Sequence, residues 1–157
     1  MNLFFINTFV ALAYMGVQGR FTLSGFAVGF TLGYLALWLT QPLYGESRYF
    51  KRFPKTIRLA GFFLLELFLS SLRVFGDVVT PGQISRPGIV GVPLEAKTDM
   101  EILLVANLIS LTPGTLSIDL SEDRQTLFVH VMYLDDPETF RQSVKEGIEK
   151  RILEVTR

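Results

Sequence analysis

The chain has 157 residues, the size of one ordinary domain, yet its mean hydropathy of +0.37, its 14 phenylalanines and its 19% of charged residues are unusual for a soluble protein. Charge is divided: residues up to Thr80 carry 7 Lys or Arg and 3 Asp or Glu, a net charge of +4, whereas residues from Pro81 onward carry 8 and 12, a net charge of −4. The sequence contains no cysteine, which excludes a disulfide framework, a thiolate nucleophile and a Cys-ligated metal.

Two apolar runs open the chain and predict a transmembrane helical hairpin over residues 1–40. They cover residues 3–17 and 21–39 and are separated by only three residues. The second run has 19 residues and reaches about 28 Å as a helix, close to the hydrocarbon thickness of a bilayer. A cleaved signal peptide is a competing interpretation of the first run. We disfavour it because no basic segment precedes that run and a second apolar run follows at once.

Three glycines in the second run predict a helix-packing face. Gly25, Gly29 and Gly33 recur at every fourth residue and therefore lie on one side of the helix. Such a face lets the backbone of another helix approach closely. Its partner is either the first helix of the same chain or a helix of another subunit, and the spacing alone does not choose between them.

The segment that follows is basic and fixes the predicted orientation. It contains five Lys or Arg residues between positions 48 and 58, against the single Arg20 in the turn between the two apolar runs. By the positive-inside rule this loop is cytoplasmic, and so is the N-terminus. We therefore expect a multi-pass protein of the cell membrane with a middle part, residues 41–80, that consists of the basic loop and a membrane-proximal helix.

That membrane-proximal helix, predicted over residues 57–79, is amphipathic. At 100° per residue its polar side chains fall in one narrow stripe, and apolar side chains cover the rest of its surface. The stripe consists of Lys55, Glu66, Ser70, Arg73 and Asp77. The helix can span the bilayer with the stripe turned toward partner helices, or lie in the interface with its charges toward water. Because charge inside the membrane is costly, we predict the interfacial position.

Glu66 has two interpretations that depend on this choice. Inside the membrane it is a candidate for a proton path, whereas at the interface it is a charged edge that pairs with Arg73 or with a neighbouring subunit. We favour the second interpretation. Glu66, Arg73 and Asp77 are therefore candidate subunit-contact residues.

Residues 81–157 predict a cytoplasmic α/β domain. A short apolar strand over 89–94 is followed by a helix from Asp99 to Leu111, which Thr98 and Glu101 begin with a capping box. Two strands form a hairpin, and Asp136 and Pro137 start the last helix, whose apolar face includes residues 140, 144, 148, 152 and 155. The order strand, helix, strand, strand, helix matches a ferredoxin-like split unit without its last strand, with both helices on one side of the sheet.

Two patterns in this domain make predictions about its surfaces. In the first strand of the hairpin, Leu116, Ile118 and Leu120 alternate with polar residues, which predicts that the apolar set faces the core. The helix over 99–111 is apolar nearly all round, with Leu103 and Leu111 on a different side from Val105. A two-layer domain would leave that second side in water, so we expect it to contact the membrane-proximal helix or a partner chain.

The sequence contains few residues that are arranged for catalysis or ligand binding. The segments 88–91 and 112–115 lack the spacing and flanking elements of a nucleotide-binding loop and are predicted to be turns. His130 has no second histidine or carboxylate pattern beside it, so a packed or edge histidine is expected. No nucleophile elbow, catalytic triad or basic aromatic patch for nucleic acid is present in the sequence. We therefore expect no catalytic residue, no metal and no cofactor.

Several motifs resemble a known family across nearly the whole chain. They are the N-terminal hairpin, the segment from Glu66 to Asp77 before Thr80, and the sequences RPGIVGVPLEAKTD (86–99), ANLISLTPGTLSIDLSED (106–123), LFVHVMYLDD (127–136) and RILEVTR (151–157). In these features the chain is similar to the E subunit of the multisubunit cation/proton antiporters, the Mrp or Mnh complexes. The block at 106–123 is long and specific, and its Asn107, Thr112, Pro113 and Gly114 are further candidate packing or subunit-contact residues.

The resemblance implies an accessory role in a Na⁺/H⁺ antiporter. Its partners would be the bilayer and the other membrane subunits, of types A, B, C, D, F and G, and no cofactor is implied. A similar subunit of a membrane-bound hydrogenase-type complex, a membrane-tethered regulatory module and a membrane-bound enzyme are the alternatives. From the residues we predict that this chain does not itself bind the transported cation, because ion translocation needs polar groups deep in a membrane bundle.

Overall fold

A computed structural model describes residues 3–43, 45, 47–80 and 85–157, and the chain divides into two compact units, Met1–Pro54 and Lys55–Arg157. The chain is mostly helical, with one three-stranded antiparallel sheet in the second unit. The predicted three-part division into 1–40, 41–80 and 81–157 describes membrane organisation and stays a prediction.

The first unit contains two packed helices, α1 (Leu3–Gln18) and α2 (Leu23–Leu39), followed by a 3₁₀ turn at Gln41–Leu43. Gly19 closes the turn between the helices with a φ of 64°, and the Thr22 side chain accepts a hydrogen bond from the Gly25 N–H to cap α2. Each apolar run of the sequence has become a helix, and α2 lies against α1 over much of its length.

The long helix α3 (Arg48–Val79) begins earlier than predicted, and the basic stretch taken for a loop is helical. Pro54 lies inside it and removes one backbone donor. The first turns are held instead by aromatic packing, since the Tyr34 ring lies 5.7, 5.3 and 5.2 Å from the rings of Tyr49, Phe50 and Phe53. Among the described residues, Tyr49–Val79 is the one helix that is long and apolar enough to cross a membrane; α1 and α2 are shorter apolar helices.

In the second unit, α3 is followed by β1 (Gly88–Pro93), α4 (Asp99–Leu111), β2 (Thr115–Leu120) and β3 (Thr126–Val131). The last helix consists of α5 (Pro137–Val144), a π-helical segment (Lys145–Glu149) and α6 (Lys150–Thr156). We call residues 85–157 the α/β domain. The predicted caps are confirmed: Thr98 and Glu101 form a capping box, and the Asp136 carboxylate accepts from the Thr139 N–H.

The three strands are antiparallel in the order β1-β3-β2, and one face of the sheet carries the core. Both α4 and the last helix pack on that face. The buried apolar residues are Val90, Val92, Leu127, Val129 and Val131 from the sheet, Ile102, Val105 and Ile109 from α4, and Val144 and Ile152 from the last helix.

The prediction that the apolar residues of β2 face the core is wrong for two of the three. Leu116 and Ile118 are 53% and 51% exposed. Leu116 pairs with His130 on the outer face, while the neighbouring Ser117 turns inward and donates a hydrogen bond to the Ala106 carbonyl over 2.9 Å. A bulge between Ser117 and Asp119 then restores Leu120 to the inner side.

Both edges of the sheet are covered by groups of the same chain. At β1, the Arg141 Nε donates to the Gly91 carbonyl over 2.9 Å, and Pro93 has no N–H to offer. At β2, the Ser117 N–H donates to the Ser110 hydroxyl over 3.0 Å. Such contacts remove the free donors and acceptors through which edge strands pair with other chains.

Candidate functional site: the cleft beside the long helix

The polar stripe of α3 faces the α/β domain, and not water as the sequence predicts. Near one end, the Lys55 ammonium donates to the Glu154 carbonyl over 3.0 Å, and near the other, the Tyr133 hydroxyl donates to the Asp77 carboxylate over 3.1 Å. Between them, the Arg151 guanidinium lies 3.9 Å from the centre of the Phe62 ring. The domain therefore lies alongside α3 from residue 55 to residue 77.

The opposite side of α3 is an exposed apolar surface. Its large side chains have half or more of their area uncovered, with Phe75 at 65% and Val78 at 79%. A water-soluble monomer rarely exposes a continuous apolar surface of this kind. The exposed residues on this side are Ile57, Leu64, Leu65, Phe68, Leu72, Phe75, Val78 and Val79.

A cleft of about 290 Å³ separates the stripe from the α/β domain and brings together residues that are distant in sequence. Glu66 and Arg73 line it from α3, and the turn Thr112, Pro113 and Gly114 lines it from the domain. We call this space the α3 cleft. Five of the ten candidate contact residues therefore meet in one site.

A smaller cleft of about 240 Å³ adjoins the first, because Arg73 and Tyr133 line both. Asp77 lines this second cleft together with Arg86 and Asp135. Burial and the neighbouring Asp77 carboxylate raise the pKa of the Tyr133 hydroxyl. Tyr133 therefore stays protonated and keeps its hydrogen bond to Asp77 well above neutral pH.

The turn at 112–115 is held by its own hydrogen bonds. The Thr115 hydroxyl donates to the Ile109 carbonyl over 2.6 Å, and the Met132 N–H donates to the Gly114 carbonyl over 2.7 Å. Gly114 has a φ of 90°, and a side chain there would meet the Tyr133 ring at 3.3 Å. Glycine alone suits both the positive φ and the close approach of the Tyr133 ring. The turn therefore positions this ring between itself and α3.

The charges of the α3 cleft are only partly matched. Across residues 47–80 and 85–157, neither the Glu66 carboxylate nor the Arg73 guanidinium has an ion pair or a hydrogen bond. The Ser70 hydroxyl between them donates to the Glu66 carbonyl over 2.6 Å. In the described part of the chain, no group of three His, Cys, Asp or Glu side chains is arranged to hold a metal ion. The cleft therefore offers charges for recognition, in a setting of packed apolar side chains.

A family model described as "Na+/H+ ion antiporter subunit" matches residues 7–155. Two named relatives are E subunits of Na(+)/H(+) antiporters, of which that of Alkalihalophilus pseudofirmus is 34% identical and that of Bacillus subtilis 35% identical, each over 97% of this chain and 96% of the relative. The chain belongs to the family of Na⁺/H⁺ antiporter E subunits.

Two solved structures contain a chain that is similar to this one. A chain in the Mrp complex from Dietzia sp. DQ12-45-1b is 28% identical, with a TM-score of 0.51 over 60% of this chain and 89% of that one. A chain of the membrane-bound sulfane sulfur reductase, an archaeal respiratory membrane complex, covers 96% of each chain with a TM-score of 0.60. Its identity is 20%, so this second likeness shows a shared fold alone.

The three glycines and Asn107, which are also candidate contact residues of this E-family chain, do not line the α3 cleft. In the first unit, a side chain at Gly29 would meet the Ala11 backbone at 3.0 Å, one at Gly33 would overlap the Asn7 amide oxygen, and Gly25 lies near Met15. The glycine face is thus occupied by α1 of the same chain. Asn107 lies on the exposed side of α4. The apolar residues Met100, Leu103 and Leu111 of the same helix are 62%, 56% and 59% exposed.

The sequence did not predict the burial of two carboxylates, Glu101 and Glu149. Glu149, in the π-helical segment, accepts hydrogen bonds from the backbone N–H groups of Glu95 and Ala96 over 2.6 and 2.9 Å. Glu101 accepts from Arg157 over 3.1 Å, and this bond and the Lys97 N–H lower the pKa of the Glu101 carboxyl to about 2. The capping box points to Glu101, but no sequence signal points to Glu149.

Proposed function

We propose that this chain is an accessory subunit of a multisubunit Na⁺/H⁺ antiporter, which supports assembly of the complex and does not carry the ion itself. The observation that carries the proposal is the division of α3 into a stripe covered by the α/β domain and an exposed apolar side. Membership in the E-subunit family gives the host complex. The expected partners are the bilayer and the other membrane subunits, of types A, B, C, D, F and G.

In this proposal α1 and α2 form a transmembrane hairpin, and α3 lies in the membrane interface. The contacts from Lys55 to Asp77 support the interfacial position of α3. They follow the helix for about 33 Å, longer than the roughly 30 Å of the hydrocarbon core. A spanning α3 would draw the polar surface of the α/β domain into lipid, at a large cost in free energy.

The α/β domain is proposed to be a cytoplasmic, ferredoxin-like split unit without its last strand. The strand order β1-β3-β2 and the two helices on one face support that assignment. The cluster of Lys and Arg in the first turns of α3 supports the cytoplasmic side for the N-terminus and for this domain.

Two exposed apolar surfaces of the α/β domain are suited to contacts with other subunits. One is the exposed side of α4 around Asn107. The other is the outer face of the sheet, with Ile89, Leu116, Ile118 and Phe128 between 39% and 67% exposed. Apolar surfaces of this kind on a small domain are typical of interaction sites.

The assembly role is tested by expressing the complete antiporter with and without this chain. We expect native gels to show loss or truncation of the full complex without it, and everted vesicles to show reduced Na⁺-driven proton movement. Exchange catalysed by the isolated chain in proteoliposomes, or labelling of Arg157 from the outer side of intact cells, would contradict the proposal.

The claim that the chain does not carry the ion is tested at Glu66. Glu66→Gln in the assembled complex is expected to leave the apparent KM for Na⁺ unchanged, because no cation ligand has been removed. A raised KM for Na⁺ with normal assembly would make Glu66 part of the ion path.

A second candidate function is the same accessory role in another membrane complex. The fold likeness to a chain of the archaeal sulfane sulfur reductase favours it, and a hydrogenase-type host is of the same kind. Co-purification decides between these hosts, since the antiporter proposal requires large antiporter subunits in the same particle. A chain that is stable and monodisperse alone in detergent would instead indicate a membrane-tethered regulatory module.

A further inference from the structure

We propose that the α3 cleft binds the headgroup of an ethanolamine phospholipid, with the ammonium group on Glu66 and the phosphate on Arg73. The inference rests on the proposed function in one respect: α3 must lie at the membrane surface for a lipid to reach the cleft. It adds a ligand and a site to the role in assembly.

The size and lining of the cleft suit the polar end of a lipid. Its volume of about 290 Å³ is at the lower limit of small-ligand pockets, about 300–1,000 Å³. It therefore has room for a headgroup and the start of an acyl chain, and not for a complete lipid. The deep wall is apolar, with Ile109, Val131 and Val144 buried behind it, while Glu66 and Arg73 supply charge on the α3 side.

The two charges are available because the polar groups around them already have partners. The Ser143 hydroxyl donates to the Phe140 carbonyl over 2.8 Å, and the Tyr133 hydroxyl is bonded to Asp77. Glu66 and Arg73 are seven residues apart and so about 10 Å apart along the helix axis, too far for the usual pairing of neighbouring turns. Within the described residues each lacks an ionic partner.

A zwitterionic headgroup can form an ion pair with each of the two charges. The guanidinium of Arg73 presents a planar fork of N–H donors that matches a phosphate, and a primary ammonium donates hydrogen bonds to a carboxylate such as Glu66. A choline headgroup has no N–H to donate. A glycerol headgroup has no cation, and its net negative charge is repelled by Glu66. The ethanolamine headgroup is therefore the one that the cleft is expected to prefer.

The exposed apolar side of α3 places the α3 cleft within reach of membrane lipids. Leu65, Phe68 and Leu72 are 56%, 60% and 50% exposed on the side opposite the stripe. With these side chains in the acyl region, the cleft lies at the height of the headgroups. An acyl chain then continues around α3 into the bilayer while its headgroup occupies the cleft.

Photo-crosslinking tests the site directly. The full chain is reconstituted in phosphatidylcholine vesicles that contain a small fraction of a diazirine-labelled phosphatidylethanolamine, phosphatidylcholine or phosphatidylglycerol, and the labelled peptides are identified by mass spectrometry. We expect the ethanolamine probe to label segments 112–115 and 140–144 about fivefold more than the other two probes. Equal labelling by the three probes would overturn the proposal.

Variants separate the two charges. Glu66→Gln is expected to remove the roughly fivefold preference for the ethanolamine probe over the glycerol probe. Arg73→Gln is expected to lower labelling by the ethanolamine probe and by the glycerol probe, in each case about fivefold. Arg73→Lys keeps the charge without the fork and should be intermediate. The matched control is Arg58→Gln, which alters an exposed charge of the same helix outside the cleft and should label like the wild type. Unchanged labelling in both cleft variants would also overturn the proposal.

The same preparations separate this inference from the proposed function. If the wild-type chain does not sediment with vesicles, both the proposed membrane role and the lipid site are contradicted. If the wild-type chain sediments and assembles normally but is labelled without headgroup preference, the lipid site is contradicted and the accessory role still stands. Equal thermal midpoints of the variants and the wild type exclude unfolding as the cause of lost labelling.

Discussion

The Tyr133 hydroxyl donates a hydrogen bond to the Asp77 carboxylate over 3.1 Å, and this bond joins the end of β3 to the end of α3. The two residues are 56 positions apart in the sequence. Gly114 supports the arrangement from the other side of the ring, where a side chain would meet it at 3.3 Å. The end of α3 is thus joined to the domain by a polar contact, in addition to the packing of Leu59 and Phe62 farther along the helix.

Tyr133→Phe should therefore loosen the end of α3 without unfolding the domain. Loss of one hydrogen bond to a half-exposed carboxylate is worth about 1 kcal/mol. We expect faster hydrogen exchange in residues 73–80 and unchanged exchange in β1 and β3. Tyr14→Phe, whose hydroxyl accepts from Gln18 on the surface of α1, is the control. No change in exchange at 73–80 would mean that this bond does not hold the helix.

Glu101→Gln should remove a pH dependence of stability. The folded pKa of Glu101, about 2, lies below the unfolded value of about 4.3. Its contribution is therefore complete above about pH 5 and is lost as the pH falls toward 2. In the variant, thermal midpoints measured in detergent should be lower at pH 7 and should fall less between pH 5 and pH 3 than those of the wild type. Glu122→Gln at the exposed hairpin should keep the wild-type slope.

Gly33→Ala should weaken the packing of α1 against α2. The added methyl group would overlap the amide oxygen of Asn7, whose amide nitrogen donates to the Tyr49 hydroxyl over 2.9 Å. Overpacking of this kind costs about 1–3 kcal/mol. Trp38, the single tryptophan, lies in α2 and reports thermal unfolding of this unit by fluorescence. Gly16→Ala has open space around it and should be neutral or slightly stabilising through helix propensity, so equal destabilisation in the two variants would contradict the packing argument.

Leu103→Asp should impair assembly of the antiporter complex without destabilising the isolated chain. Leu103 is 56% exposed on α4, so a charge there costs the isolated chain little, yet it would be unfavourable in a buried subunit contact. We expect the full complex to be reduced on native gels while the thermal midpoint of the isolated chain stays unchanged. Glu122→Leu, in the exposed turn between β2 and β3, adds an apolar residue outside both proposed contact surfaces and serves as the comparison. Normal assembly of Leu103→Asp would show that this side of α4 contacts no other subunit.

Local chemistry made parts of this fold predictable. Thr98 with Glu101, and Asp136 with Pro137, begin helices because the capping groups lie within a few residues of the orphan N–H groups that they satisfy. The apolar runs and the stripe of α3 were likewise evident from periodicity. In each case the cause lies within one segment of the chain.

The parts that were missed depend on distant segments. The direction of the α3 stripe is set by contacts from Lys55 to Glu154 and from Tyr133 to Asp77. The outward position of Leu116 follows from its pairing with His130 and from the bulge after Ser117. The α3 cleft joins Glu66 to the turn at 112–115, a juxtaposition that no periodicity encodes.

The contact between Arg141 and the Gly91 carbonyl has a consequence for how this protein meets its neighbours. A foreign strand that approached β1 would find the carbonyl occupied and, at Pro93, a ring in place of a donor. The β1 edge is therefore poorly suited to strand addition, and a neighbouring subunit is expected to contact this domain through side chains on its exposed faces.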